Sequence, residues 1–249
     1  MPSYKKTRLD TLLVDCGLAT TRSRAADLVR RGAVRVGGVV AAKPGQLVAR
    51  ETVLAVSPGA GAYVSRGGLK LEAALDAFGL DAEGKVALDI GASTGGFTDA
   101  LLGRGAAKVY AVDVGRGQLH GRLAADERVV ALEATDARKL DRAVVPEPVS
   151  AIVADVSFIS LTLVLPAALA LAAPGAWLVA LVKPQFEAGR AAVGRGGVVR
   201  KEEDRQRAVA RVRDFTEAQP GWTVLGVMPS PIEGGSGNRE FLLAAQLEV

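Results

Sequence analysis

Charged side chains follow several short apolar runs of this chain, at the points where such runs would end as strands. Asp155 ends the run 150–155, and Lys183 directly follows the run 176–182. In open, doubly wound α/β sheets, ligands bind at the carboxyl ends of the central strands, so both side chains are expected to face a ligand. A lysine there could remove a proton or stabilise a developing negative charge, and a carboxylate could orient it. The pattern predicts acid–base chemistry at one edge of a parallel sheet.

A glycine-rich turn after the buried strand 86–90 predicts a cradle for a ligand. Its glycines let the backbone approach a ligand closely, and the helical pattern resumes at Phe97, so helix N–H groups face the turn. The order is Asp89-x-Gly91-x-x-x-Gly95-Gly96, which differs from the G-x-G-x-x-G fingerprint of dinucleotide binding. With its leading carboxylate, the turn resembles the first motif of S-adenosylmethionine-dependent methyltransferases, in which it wraps the methionine moiety.

Two further acidic residues match the order that this resemblance requires. Asp113 ends the next predicted strand, roughly 20 residues on, where a carboxylate would bind the ribose hydroxyls. Asp136 follows the third strand, where a residue would flank the adenine. The resemblance implies S-adenosyl-L-methionine as cofactor. The residues expected to bind it are Asp89, Gly91, Ser93, Gly95, Phe97, Asp113, Val114, Asp136 and Asp155.

Composition narrows the class of protein. The chain has 249 residues, which allow one large domain or two unequal ones, and 49% are hydrophobic, enough for a sizeable core. With one cysteine (Cys16) and one histidine (His120), the chain lacks the usual zinc ligands, so we expect no metal site and a reducing compartment. We see no N-terminal signal sequence and expect a cytoplasmic location.

The net charge of +4 is unevenly distributed. Residues 1–57 contain ten Lys and Arg against four acids, a net charge of +6, which leaves −2 for the rest. A small basic module on a near-neutral body favours attachment to a polyanion, with catalysis elsewhere. The alternative is an ordinary solvated basic surface.

The basic module also carries a sequence pattern. It reads R-L-D-x-L-L from Arg8, S-R-x-x-A-x-x-L from Ser23, G-x-V-x-V-x-G from Gly32, then Lys43-Pro. Two helices, a tight hairpin and a further turn and strand are predicted over 8–56. The pattern resembles the small RNA-binding S-four domain. The resemblance implies that one side of this module faces RNA. The expected RNA contacts are Arg8, Ser23, Arg24, Arg30, Arg31 and Lys43, together with Arg66, which follows the linker.

Four more motifs complete the pattern: Ser65-Arg-Gly-Gly-Leu-Lys70, Ala154–Ser160, Val182–Glu187 and Gly237-Asn-Arg-Glu-Phe241. With the glycine turn, they resemble the TlyA (hemolysin A-like) family of ribosomal RNA 2′-O-methyltransferases, whose methyltransferase domain is FtsJ-like. The resemblance implies a Rossmann-like, seven-stranded class I α/β sheet with a small N-terminal α+β RNA-binding domain. It also implies a catalytic set of Lys70, Asp155, Lys183 and Glu240, acting on a cytidine ribose. Arg116, in place of an aromatic, and Asp136, in place of asparagine, depart from the family pattern.

The expected organisation is an RNA-binding domain over 1–57, a linker over 58–64 and a methyltransferase domain over 65–249. Ribosomal RNA in ribosomal subunits is the expected partner, and the free protein is expected to be a monomer that does not bind membranes. The chain has no charged residue over 156–182, but Pro166 and Pro174-Gly175 favour a core helix, a turn and a buried strand over a membrane span. A membrane-active hemolysin and a non-catalytic RNA-binding protein are the alternative functions.

Overall fold

A computed structural model describes residues 6–30, 32–56, 63–234 and 237–249. The chain divides into two compact units, Met1–Arg66 and Gly67–Val249. The predicted linker falls largely on residues 57–62, which lie outside the described part of the chain, as does Arg31.

The N-terminal unit is a small α+β structure. Its elements are β1 Lys6–Arg8, α1 Leu9–Asp15, α2 Arg22–Arg30, β2 Val34–Val36, β3 Val39–Val40, β4 Leu47–Ala49 and β5 Leu54–Val56. Strands β1 and β4 pair antiparallel, and β3, β2 and β5 form a second antiparallel sheet in that order. The apolar faces of both helices share one buried core with Val34 of β2 and Val48 of β4, and Leu9, Leu13 and Val34 are fully buried. Among the described residues of this unit, eleven are buried in this core, so the unit has an apolar centre of its own.

The C-terminal unit alternates strands and helices. Its strands are β6 Val86–Ile90, β7 Lys108–Val112, β8 Val129–Leu132, β9 Val149–Ala154, β10 Ala172–Val182, β11 Trp222–Pro229 and β12 Phe241–Leu247. Its helices are α3 Gly67–Phe78, α4 Gly96–Gly103, α5 Gly121–Ala124, α6 Leu161–Leu169, α7 Pro184–Glu187 and α8 Glu202–Glu217. Short 3₁₀ turns lie at Ala137–Lys139 and Arg190–Ala192.

All seven strands form one sheet in the order β11-β12-β10-β9-β6-β7-β8. Strands β10, β9, β6, β7 and β8 run parallel, and β12 runs antiparallel to both of its neighbours. The strand order reverses between β6 and β9, which makes their carboxyl ends the switch point where ligands bind in this architecture. The glycine turn follows β6, and Asp155 follows β9.

The central strands are apolar on both faces because helices cover both sides of the sheet. Ile152, Leu178 and Leu88 are fully buried. The uncharged segment 156–182 contains α6, which continues through Pro166, and the strand β10. None of the helices in the described ranges is long and apolar enough to cross a membrane.

The register of β12 determines which side chains meet at its start. Val182 is paired with Phe241, so Lys183, just after β10, and Glu240, just before β12, lie at the same edge of the sheet. This is the edge at which β6 and β9 end, since β10 is parallel to β9. Two residues 57 positions apart in sequence are thereby brought to the ligand-binding edge.

Candidate active site

The turn between β6 and α4 has the left-handed backbone that its glycines allow. Gly91, Ser93 and Gly95 have φ angles of 81°, 49° and 93°. A Cβ on Gly91 would lie 2.5 Å from the backbone oxygen of Asp155, so only glycine lets the ends of β6 and β9 approach this closely. A Cβ on Gly95 would lie 2.3 Å from Leu123 Cδ1. The glycines therefore serve close packing around the turn.

Asp89 lies beneath this turn and is fully buried. Its Oδ2 accepts a hydrogen bond of 2.6 Å from Thr98 Oγ1, and Oδ1 has no hydrogen-bond partner in the described part of the chain. Burial raises the pKa of Asp89 to about 7, the Thr98 hydrogen bond opposes that rise, and the charges of Asp155 and Asp113 add to it. Asp89, Gly95 and the buried Phe97 were predicted to bind the cofactor, but none of them lines the cavity at the switch point.

A cavity of about 430 Å³ opens at the switch point, within the size range of pockets for small-molecule cofactors. Six of the predicted cofactor-binding residues line it: Gly91, Ser93, Asp113, Val114, Asp136 and Asp155. Apolar side chains such as Val112, Ile159 and Val164 form much of the remaining wall. A mainly apolar cavity with a few fixed polar groups is typical of a site for a nucleoside-containing ligand.

Asp113 is held in place by the backbone. Its Oδ2 accepts from the Ser93 N–H at 2.8 Å, and its Oδ1 accepts from the Gly115 N–H at 2.7 Å. Each carboxylate oxygen has a second lone pair, so Asp113 can still accept hydrogen bonds from a diol. The two backbone contacts fix the carboxylate at the cavity wall.

Asp136 begins the 3₁₀ turn after β8 and also lines the cavity. Arg138 donates to it from Nε at 2.9 Å and from Nη2 at 2.7 Å. The hydrogen bonds from the Arg138 side chain and backbone lower the pKa of Asp136 to about 2. Arg138 lines the cavity too, so this wall carries an ion pair in place of a lone carboxylate.

A second cavity, of about 330 Å³, adjoins the first. Ser157 and Phe158, in the segment after β9, line both cavities, and Lys183 and Glu240 line the second. Lys183 Nζ lies 2.7 Å from Asp155 Oδ1 and donates to Ser157 Oγ at 2.8 Å. Its side chain is only 11% exposed, so the ammonium group of the second cavity is held against Asp155, a residue that lines the first.

Lys70 and Glu240 form a second ion pair at this edge. Lys70, in α3, donates from Nζ to Glu240 Oε2 at 2.5 Å, and the two side chains are 10% and 3% exposed. Removing one partner of a buried pair leaves an uncompensated charge, which makes such pairs strongly interdependent. The structure thus brings the four predicted catalytic residues together as two ion pairs, Lys70–Glu240 and Lys183–Asp155.

Phe158 stands at the boundary of the two cavities. It is 92% exposed, has a φ angle of 65°, and its ring lies 5.2 Å from that of Phe186. A left-handed backbone at a bulky residue is strained, and such strain is concentrated at functional positions. The segment Asp155-Val156-Ser157-Phe158 lines the first cavity, and its last two residues also line the second.

Two residues that our sequence reasoning did not single out organise the loops around these cavities. The Glu133 carboxylate accepts hydrogen bonds from the N–H groups of Gly117, Gln118 and Leu119, at 2.7, 3.0 and 3.4 Å, and they lower its pKa. Asn238 is buried; its Oδ1 accepts from the Val199 N–H at 3.0 Å and its Nδ2 donates to the Gly197 carbonyl at 2.9 Å. Its place in the motif Gly237–Phe241 was the available signal for Asn238.

The predicted RNA-contacting residues of the N-terminal unit lie mainly at its surface. Arg8 precedes α1, Ser23 and Arg30 lie at opposite ends of α2, and Lys43 lies in the turn before β4; all four are exposed. Arg24 is half-buried and pairs with Asp27 at 3.1 Å, and Arg66 is half-buried at the end of this unit. Arg31 lies outside the described residues. The described ranges contain no cluster of three or more His, Cys, Asp or Glu side chains that could hold a metal ion.

The seven-stranded sheet with an antiparallel strand between β10 and β11, and a cavity at its switch point, defines the Rossmann-like class I methyltransferase fold. The model of the FtsJ-like methyltransferase family matches residues 63–247, and that of the S4 domain matches residues 7–54. The chain therefore belongs to the FtsJ-like methyltransferase family and carries an N-terminal S4 domain, the RNA-binding module predicted from the sequence.

Three similar proteins cover nearly the whole chain. The 16S/23S rRNA (cytidine-2′-O)-methyltransferase TlyA of Mycobacterium tuberculosis is 48% identical over 240 residues, which is 96% of this chain and 89% of the relative. Hemolysin A of Brachyspira hyodysenteriae is 40% identical over 241 residues, 94% of this chain and 98% of the relative. A solved structure from Streptococcus thermophilus, described as a candidate hemolysin, has a TM-score of 0.74 and 42% identity, and covers 99% of this chain and 90% of its own. The predicted resemblance to TlyA-like proteins is confirmed.

Proposed function

We propose that this methyltransferase uses S-adenosyl-L-methionine to methylate the 2′-oxygen of a cytidine ribose in ribosomal RNA, acting on ribosomal subunits in the cytoplasm. The observation that carries the proposal is the pair of adjoining cavities, joined by the ion pair of Lys183, which lines the second, with Asp155, which lines the first. One cavity has the size and lining expected for the cofactor, and the other offers a place for the target nucleotide. The name of the Mycobacterium tuberculosis relative supplies the substrate class.

The residues of the first cavity fit the cofactor. Asp113 offers fixed acceptors for the ribose hydroxyls, and Gly91 and Ser93 of the turn, which line the cavity, offer a surface for the methionine moiety. The half-exposed ion pair Asp136–Arg138 would flank the adenine. When bound, S-adenosyl-L-methionine supplies the electrophilic methyl group; every other contribution comes from the chain.

Lys183 is the residue that we place at the reacting 2′-oxygen. A ribose hydroxyl is a poor nucleophile, and its proton must be held or removed as the new bond forms. Lys183 Nζ donates one hydrogen bond, to Ser157 Oγ, and forms an ion pair with Asp155. An ammonium has three N–H groups, so a further one can reach a substrate oxygen. Lys183 would act as the base or as the cation that stabilises the developing oxyanion, and Asp155 would orient it.

The Lys70–Glu240 ion pair would fix the position of Glu240 in the wall of the second cavity. Glu240 lines that cavity, whereas Lys70 is buried behind it and acts through the 2.5 Å contact. Two opposite charges fixed in a poorly solvated place set a strong local field, which can assist charge development at the neighbouring site. We therefore assign Glu240 to the substrate-facing side and Lys70 to its support.

The N-terminal S4 domain would dock the RNA, as its basic charge and exposed cations suggest. It contains few aromatic side chains, so its contacts should be chiefly to phosphates and to RNA shape. The surface cations Arg8, Arg30 and Lys43 fit this role, and Ser23, Arg24, Arg31 and Arg66 complete the proposed set.

Mapping of ribose methylation on ribosomal RNA tests the proposal. RNA from a strain lacking the protein should lose at least one cytidine 2′-O-methyl group, and the wild-type gene should restore it. Lys183→Ala should not restore it, since loss of a positioned base or cation costs about 10²- to 10⁴-fold in rate. Cofactor and RNA affinities should stay within about threefold of wild type, as expected for an interaction used mainly in the transition state. The matched control is Lys201→Ala, which removes an exposed lysine outside both cavities and should restore methylation.

Lys183→Arg then separates the two roles. Arginine keeps the positive charge but does not give up its proton at accessible pH. An active arginine variant would assign Lys183 the cationic role, and an inactive one with intact binding would favour the base. A methylation pattern that is the same with and without the protein would refute the proposed function.

A further inference from the structure

The N-terminal unit contains a buried carboxylate that contacts two arginines. Asp10, in the first turn of α1, is only 4% exposed. Arg8 donates to it from Nε at 3.1 Å and from Nη2 at 2.7 Å, and Arg22 donates from Nη2 at 3.4 Å. Hydrogen bonds from Arg8 are the main cause of the low pKa of Asp10, about 2, so the carboxylate is ionised at neutral pH.

Arg8 and Arg22 remain exposed to solvent although Asp10 binds their guanidinium groups. The side chains of Arg8 and Arg22 are 50% and 60% exposed, against 6% for Asp10. The two bonds from Arg8 to Asp10 leave three of the five guanidinium donors outside this contact. A phosphate approaching from solvent would therefore meet guanidinium groups whose orientation Asp10 has already set.

A glycine completes the support of Arg8. A Cβ on Gly45 would lie 2.9 Å from Arg8 Nη1, so the guanidinium packs directly on the turn that also contains Lys43. Backbone hydrogen bonds from the Asp10 N–H to the Pro44 carbonyl and from the Leu9 N–H to the Gln46 carbonyl, both 2.9 Å, join this turn to α1. The guanidinium of Arg8 is thus held by its hydrogen bonds to Asp10 and by its packing against Gly45.

We propose that Asp10 is a positioning residue for RNA binding, which holds Arg8 and Arg22 as a preorganised clamp for backbone phosphates. The Asp10 clamp comprises these three residues, and Arg22 becomes an RNA contact in addition to those suggested above. That the phosphates belong to ribosomal RNA rests on the proposed function. By Coulomb's law, a negative charge on an RNA-facing surface should weaken RNA binding. The clamp predicts the opposite, namely that removing the charge of Asp10 weakens binding.

Two substitutions in the full-length chain test the clamp, one by removing a charge and the other by steric displacement. Asp10→Asn keeps the side-chain shape but removes the charge that orders both arginines. It should weaken binding about five- to tenfold, since each freed arginine must be ordered again on binding. Gly45→Ala changes no charge, and Gly45 is not left-handed, so the added Cβ should displace only the guanidinium of Arg8. It should weaken binding about threefold, because one arginine is affected.

The matched control is Asp15→Asn. Asp15 also pairs with an arginine of this unit, Arg50, at 2.8 Å, but both side chains are exposed and a single contact joins them. Its loss should leave affinity unchanged or raise it slightly, as expected for one negative charge fewer. In an Arg8→Ala, Arg22→Ala background, adding Asp10→Asn should no longer weaken binding, since there is nothing left to position.

Affinity is measured by filter binding to ribosomal subunits purified from a strain lacking the protein, at several salt concentrations, with thermal unfolding as the check on folding. Wild-type protein that fails to bind either subunit would overturn the proposed function, and the clamp with it. Wild-type binding together with an Asp10→Asn variant that binds as tightly or more tightly would overturn the clamp alone. If Asp10→Asn does not fold, Gly45→Ala decides, and unchanged affinity there refutes the clamp.

Discussion

Replacing Asp89 with asparagine should change how the stability of the methyltransferase unit depends on pH. The carboxyl group is fully buried, bonds to Thr98, and has a pKa of about 7 against an ordinary 3.8. Between these two values the folded protein holds a proton that the unfolded chain has lost. Stability therefore falls as pH rises through this window. Asparagine is neutral throughout and removes the dependence.

The magnitude follows from the two pKa values. A rise from 3.8 to about 7 corresponds to about 4 kcal/mol of unfolding free energy once both states are ionised, at 1.36 kcal/mol per pKa unit. Between pH 5 and pH 8 the part lost is about 2–3 kcal/mol by the same linkage. The Asp89→Asn variant should also carry a constant cost of about 1–3 kcal/mol if its amide finds no partner in place of Oδ1. The change with pH, and not the absolute difference, is the test.

Urea unfolding followed by tryptophan fluorescence is the suitable assay. The chain has two tryptophans, Trp177 in β10 and Trp222 in β11, so the signal reports the C-terminal unit alone. The Asp89→Asn variant should gain stability relative to wild type as pH rises from 5 to 8. Thr98→Val is the matched comparison, because it keeps the carboxyl group but removes the hydrogen bond that opposes the rise in its pKa. Its loss of stability relative to wild type should therefore grow as pH rises, opposite in sign to the trend of Asp89→Asn. A difference between Asp89→Asn and wild type that is constant with pH would refute the reasoning.

Two further substitutions probe the cavity proposed for the cofactor. Asp113→Ala should weaken S-adenosyl-L-methionine binding about 10- to 100-fold by calorimetry, since hydrogen bonds to a charged acceptor contribute about 1.5–3 kcal/mol; an unchanged affinity would remove Asp113 from the binding site. Gly91→Ala should destabilise the unit by at least about 2 kcal/mol, because alanine is strained at a φ of 81° and its Cβ would meet the Asp155 carbonyl at 2.5 Å. Urea unfolding at wild-type stability would show that the two strand ends can separate without cost.

The sequence predicted most of the fold, because apolar runs and glycine turns are local signals. The strand 86–90 was predicted with the bounds that the structure gives. Strand β10 begins at Ala172, four residues before the predicted start, so it runs through Pro174-Gly175, which the sequence had suggested as a turn. Strands β1 and β4 were missed, since three residues each is too short for any period to appear.

The residues that the structure brings together at this edge could be named from the sequence, but their arrangement could not. Strand ends pointed to Asp113, Asp155 and Lys183, because ligands bind where parallel strands end. The pairing of Lys70 with Glu240 depends on the register between β10 and β12, a long-range property that no local pattern contains. The roles of Asp89, buried beneath the turn, and of Asp10, buried among arginines, depend equally on tertiary packing.

Strand β12 is the last strand of the sheet to be synthesised, yet it lies between β10 and β11. Until it inserts, both neighbours have an open hydrogen-bonding edge, and Glu240 cannot join Lys70. The buried core of the N-terminal unit is formed by residues between Leu9 and Val48, so it can form while the rest of the chain is still being made. A nascent chain thus acquires its RNA-binding module first and its methyl-transfer site last. Chains that terminate before β12 would retain an RNA-binding module attached to an incomplete sheet with edges open to aggregation.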